Sequence, residues 1–232
     1  MLETLIQQSP LSGTELEIAY RHELTLDSDS EEFRYWLVTR KSDGARLWLK
    51  AAGDGSRRKK LSDEYRLLGH LQLPGLAGTV EDGTSAAIPF IGFRYLGEIP
   101  CATGDLAEFA PMELLAFSLS VTRLIHSLET SKPPAALVHF ESAPLLVSPT
   151  LKRPKLLGLG NYAQTASKEP HRQARESAWR VVASALEAAP EVTDAASLLR
   201  QGEHWVARGP EAYDSLHQAF NATAFKVLTQ DL

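Results

Sequence analysis

Apolar positions recur by twos early in the chain and by threes and fours later, and this change of period divides the sequence. Residues 15–26 alternate loosely, with Leu16, Ile18, Tyr20 and Leu24 on one predicted strand face. Residues 33–39 carry Phe33, Tyr35, Trp36, Leu37 and Val38, and residues 46–50 carry Leu47, Trp48 and Leu49. Between those two runs lies Asp43-Gly44, whose residue types accept positive φ and favour a hairpin. Three antiparallel strands are therefore expected before residue 53. A loop follows at Gly53-Asp54-Gly55-Ser56, then a helix with Leu61, Tyr65, Leu68 and Leu71 on one face, stopped by Pro74-Gly75. Two more strands are expected near residues 78–81 and 86–93, split by Asp82-Gly83.

Residues 99–104 read as a linker, after which helical spacing dominates. Leu114, Phe117, Val121, Leu124, Ile125 and Leu128 form the clearest helical stripe, ended by Pro133-Pro134. Leu137-Val138, Leu145-Leu146-Val147 and residues 155–159 are short apolar runs around loops. Residues 167–175 read as a polar, mobile connection, and two later helices are expected over 175–188 and 211–228. Trp179 is read as a core anchor, because large aromatics dominate burial. The expected organisation is α+β: a strand-rich part with one helix over residues 1–98 and a helical part over 99–232.

Composition narrows the function. The 232 residues are 44% hydrophobic and 23% charged with a formal charge of −5, which does not indicate a nucleic-acid surface. Arg57-Arg58-Lys59-Lys60 is a local basic run, read either as a solvated helix start or as a docking surface for an acidic partner. With one cysteine, Cys101, no disulfide forms within the chain, and a reducing cytoplasm is expected. The start has an early acid and no apolar core of a signal peptide, and no apolar run approaches the ~20 residues that span a bilayer. The histidines lack metal-ligand spacing.

Three segments then carry a resemblance. Leu47-Trp48-Leu49-Lys50 is followed fourteen positions later by Glu64 on the predicted helix. Downstream come His139-Phe140-Glu141 with Pro144, and then Gly158-Leu159-Gly160. In this order the chain resembles the protein kinase-like fold, in a compact bacterial form, over about residues 15–190. The resemblance implies two lobes, with a reduced helical C-lobe. It places Lys50 where the family presents a lysine to nucleotide phosphates and Glu64 where a glutamate holds that lysine. Glu141 falls at the position of the catalytic aspartate. Alternatives remain open: Lys50 as an exposed lysine ending a hairpin, Glu64 as an exposed helix acid, and the two loops as ordinary turns with leucines in the core.

The same alignment shows losses. Leu146 and Gly158 stand where the family has metal-binding asparagine and aspartate, and magnesium requires oxygen donors. Residues 26–32 hold Asp27, Asp29, Glu31 and Glu32 where glycines would cradle phosphate. The resemblance thus implies a catalytically inactive kinase-like protein, binding no cofactor and serving as a scaffolding or regulatory module for a protein partner. In it, Lys50 and Glu64 form a vestigial ion pair. One alternative is an active divergent kinase or small-molecule phosphotransferase using ATP and magnesium, with Glu141 as base and Asp105 or Glu108 recruiting metal. The other is a non-kinase α+β chaperone or assembly factor. Cys101 has no neighbour in sequence that would activate it as a nucleophile.

Overall fold

The computed structural model describes residues 9–26, 32–53, 55–140, 144–150, 152–160, 162–189, 191–192 and 194–229. The fold is α+β, with a five-stranded antiparallel sheet and six α-helices among the described residues. The chain divides into two compact units, residues 1–70 with 77–96, and residues 71–76 with 97–232.

The first unit begins with α1 (Glu15–Ala19) and β1 (Tyr20–Leu26), followed by β2 (Phe33–Arg40) and β3 (Arg46–Ala52). A 3-10 turn leads into α2 (Arg58–His70), then β4 (Thr79–Gly83) and β5 (Phe90–Arg94). The sheet order is β1-β2-β3-β5-β4, antiparallel throughout. The β2–β3 hairpin closes as its sequence predicts. Gly44 has φ +74°, Arg40 N–H donates to Ala45 O at 2.8 Å, and Asp43 accepts from Ala45 N–H at 3.1 Å.

β3 is buried on both faces, with only Arg46 exposed. Leu47, Leu49 and Ala51 join Trp36, Val38, Tyr20, Leu16 and Phe90 in one cluster. By the period of two, Trp48, Lys50 and Ala52 point to the opposite face, together with Phe33, Tyr35 and Leu37 of β2. On α2 the buried positions are Leu61, Glu64, Leu67 and Leu68, so a carboxylate sits within the apolar stripe and Tyr65 is only half-buried.

Two expectations for this unit are corrected. Residues 15–19 form a helix rather than the head of a strand: Leu16 is buried while Ile18 is 80% exposed. Glu17 reaches back to accept the Gly13 N–H at 2.9 Å, which nucleates that turn, and a β-bulge between His22 and Leu24 leaves Leu24 outside. Asp82-Gly83 also ends β4 instead of splitting two strands. Asp82 accepts the Thr84 N–H and hydroxyl and so moves the turn onward, while the Phe90 ring occupies the space where a Cβ of Gly83 would sit.

In the second unit β6 (Ile99–Pro100) precedes a 3-10 segment, α3 (Pro111–Thr130) and β7 (Ala135–Leu137). Then come β8 (Leu145–Val147), β9 (Pro154–Leu156), β10 (Tyr162–Gln164), α4 (Lys168–Glu187), α5 (Ala195–Arg208) and α6 (Tyr213–Thr229). β6-β8-β9 form one small antiparallel sheet and β10-β7 another. Residues 99–100 are therefore paired backbone rather than linker.

The α3 stripe is buried as its spacing predicts, and Pro111 at the first turn with Glu113 accepting Ala110 N–H at 3.0 Å starts the helix. α4 begins seven residues earlier than expected. Residues 168–175 are not a mobile connection: Glu169–Arg172 and Arg172–Glu176 pair at helical spacing, and His171, Ala174 and Arg175 are buried. α5 was not foreseen. It buries only Leu198, Gly202 and Trp205, and glycine in such a stripe reads as a breaker. Gly202 is there because the Trp179 ring of α4 packs against it: a Cβ would fall 1.8 Å from Trp179 Cζ2. Trp179 is 6% exposed, a core anchor.

Candidate functional site

Three choices of the first unit converge on Lys50. The strand alternation turns it away from the main cluster, the register places it opposite Tyr35, and the α2 stripe places Glu64 within reach. Lys50 Nζ lies 2.5 Å from Glu64 Oε2, and both side chains are wholly buried. The reading of these two as exposed surface residues is thereby excluded. The Phe33 ring centroid is 4.2 Å from the same ammonium and that of Tyr35 is 5.9 Å away. Burial pushes the Lys50 ammonium below the usual lysine range, and the Glu64 charge opposes that shift. Burial, reinforced by Glu64, pushes the Tyr35 phenol well above its ordinary value.

The basic run lies beside this pair and is occupied internally. Lys60 pairs with Glu32 at 2.7 Å and stands over the Phe33 ring, while Arg57 reaches the same carboxylate at 3.1 Å. Hydrogen bonding from Lys60 is the main cause holding the Glu32 carboxyl below its ordinary range. Arg58 donates to the Thr84 carbonyl at 2.6 Å, and Lys59 pairs with Asp63 at 2.6 Å. Lys59 is 87% exposed, so its pair contributes at most about 1 kcal/mol. Asp27, Asp29 and Glu31 of the acidic turn lie outside the described residues, as does Glu141.

In the second unit Leu146 is the middle of β8, opposite Pro100 and Lys155, and fully buried. Its side chain offers no oxygen to a cation. Gly158 has φ +82° between the buried Leu157 and Leu159, a left-handed conformation that a side chain would strain. Phe140 is buried, with its N–H donating to Ser177 Oγ at 2.7 Å. Asp105 accepts the Ala102 N–H at 2.7 Å and so holds the 3-10 segment, and Glu108 is exposed. The Cys101 thiol is pushed up to about 11, first by burial and then by the Asp105 charge, which keeps it protonated at neutral pH. Among the described residues no three His, Cys, Asp or Glu side chains come together as a metal site, and no helix is long and apolar enough to cross a membrane.

Sequence reasoning missed two buried ion pairs. Lys155 binds Glu98 at 2.8 Å, with Glu98 only 3% exposed. Arg175 binds Glu129 at 2.5 Å in a buried position. Both partners come from distant parts of the chain, and no local spacing signals such a pair.

Comparison with known proteins adds the fold. A crystal structure of Cex1p is similar, with a TM-score of 0.61 at 14% identity, over 85% of this chain and 41% of that chain. This chain therefore spans about two fifths of the Cex1p chain. At that identity the likeness is one of fold alone. No protein-family model matches the sequence, and no curated protein matches it.

Proposed function

We propose that this protein is a kinase-like module without phosphotransfer activity, which works by binding a protein partner as a scaffold or regulator. The observation that carries the reading is the enclosure of Lys50. Its ammonium is neutralised by Glu64, covered by Phe33 and closed to solvent, so it has no free face for a phosphate. Phosphoryl transfer depends on metal ions and positive charge around the phosphates, with little covalent help from the protein. At the two positions where the resembled family places metal ligands, this chain has a buried leucine, Leu146, and a glycine, Gly158, neither of which has a side-chain oxygen. The Lys50–Glu64 pair then acts as architecture: it ties α2 to β3. The five-stranded sheet with a single long helix supports the kinase-like reading over a chaperone of another fold.

In the active-enzyme alternative Asp105 or Glu108 recruits the metal. Asp105 is already committed to a backbone amide, which weighs against that role. The test is incubation of the purified protein with labelled ATP and magnesium, reading autophosphorylation and transfer to generic acceptors. No incorporation above a heat-denatured control is expected. Incorporation that disappears in Glu141→Gln would overturn the reading.

A further inference from the structure

The junction of α3 with the start of α6 is built around one aromatic ring. Tyr213 is buried, and the His126 imidazole of α3 lies parallel to it, with centroids 4.1 Å apart and planes 7° from each other. The His217 ring, one turn along α6, is also parallel to Tyr213, at 6.2 Å and 6°. Trp205 of α5 meets the same ring edge-on at 6.2 Å. Three helices thus share a contact that includes two imidazoles, the side chain whose charge changes nearest to neutral pH.

Each imidazole has a contact that requires its neutral form. His126 Nδ1 is buried and has no hydrogen-bond partner among the described residues. A neutral ring with its proton on Nε2 leaves only a lone pair there, whereas the imidazolium puts a charged N–H where nothing accepts it. Arg123 Nη2 lies 3.4 Å from His217 Nε2. A guanidinium only donates, so Nε2 is the acceptor. A proton on it removes the bond and sets two cations against each other.

The surrounding charges do not reverse this. Glu129 and Asp214 favour the imidazolium at His126, but Glu129 is paired with Arg175 of α4 and Asp214 is exposed. Of the other elements on α3, β7 carries no charge and Lys155 of β9 is paired with Glu98. Glu211, in the turn before α6, lies against Gly209 beside Arg175. Burial therefore prevails and holds the His126 ring below its ordinary 6.5.

We propose that the α3–α6 junction is a pH-sensitive joint, closed around Tyr213 while His126 and His217 are neutral and loosened when both take protons in weakly acidic solution. A histidine depressed on folding adds stability that is complete above its unfolded value and is lost as pH falls through its folded value, so the loosening begins near 6.5 and grows below it. The joint uses no residue of the Lys50 site and is independent of the kinase-like reading.

The test is amide hydrogen exchange of the full chain at about pH 7.5 and about pH 5.5, corrected for the intrinsic exchange rate. Protection of α6 amides over residues 216–223 should fall about tenfold at the lower pH. The double variant His126→Phe/His217→Gln keeps a ring on Tyr213 and an acceptor for Arg123 but takes no proton at either position, and its α6 protection should be the same at both pH values. Ring-proton NMR of the wild-type protein, which needs no variant, should show His126 titrating below 6.5. The proposal falls if wild-type α6 protection does not change, or if it drops equally in the double variant. It falls equally if His126 titrates at or above 6.5, which would mean that the Tyr213 face stabilises the imidazolium.

Discussion

Lys50 Nζ and Glu64 Oε2 are 2.5 Å apart, and neither side chain has any exposure to solvent. Removing one partner leaves the other as a buried, uncompensated charge, which costs about 3–5 kcal/mol, whereas replacing both by apolar groups of similar volume is near neutral. Lys50→Met and Glu64→Leu should each destabilise the protein by that amount, and the double variant Lys50→Met/Glu64→Leu should recover most of the loss. Urea unfolding followed by tryptophan fluorescence measures this cycle. Additive losses in the double variant would show that the two groups do not stabilise each other.

The same substitution should have opposite signs on two helices. At Gly202 of α5 a methyl group would meet the Trp179 ring at 1.8 Å, so Gly202→Ala should destabilise by about 1–3 kcal/mol despite its better helix propensity. At Gly69 of α2 nothing lies within 4 Å of the added carbon, and Gly69→Ala should stabilise by about 0.5–1 kcal/mol. Thermal melts of the two variants read both signs. A stable Gly202→Ala would mean that α4 and α5 do not pack face to face there.

The β2–β3 hairpin should be acid-sensitive in a defined window. Arg40 at 2.6 Å, and next the Ala45 amide, hold the Asp43 carboxyl down from its ordinary 3.8 to about 2. A carboxyl depressed on folding adds stability that is complete above its unfolded value and vanishes as pH falls through its folded value. Wild-type stability should therefore decline between about pH 4 and pH 2 more steeply than that of Asp43→Asn. The Asp43 carboxyl resonance, followed by NMR, should titrate near the lower end. Titration near 4 would contradict the pairing.

Periodicity was a good guide where one face of an element is apolar and the other is not. The α3 stripe and the β2–β3 hairpin were legible for that reason. It failed where tertiary partners replace apolar side chains. Glu64 lies in the buried stripe because Lys50 meets it, and Gly202 lies in one because Trp179 fills its space. α4 hid its first two turns behind charged residues that pair with one another along the helix, while His171 and Arg175 are buried from the same segment. Of the candidate site, the Lys50 and Glu64 spacing was visible in sequence. The enclosing Phe33 ring was not, because its approach to Lys50 is a contact between side chains of two strands, which the alternation along either strand does not report.

Binding of magnesium–ATP tests the central claim most directly. Isothermal calorimetry, with and without magnesium, should show no saturable heat up to about 1 mM nucleotide, the upper end of common Michaelis constants. Saturable, magnesium-dependent binding that is lost in Lys50→Ala would contradict the account.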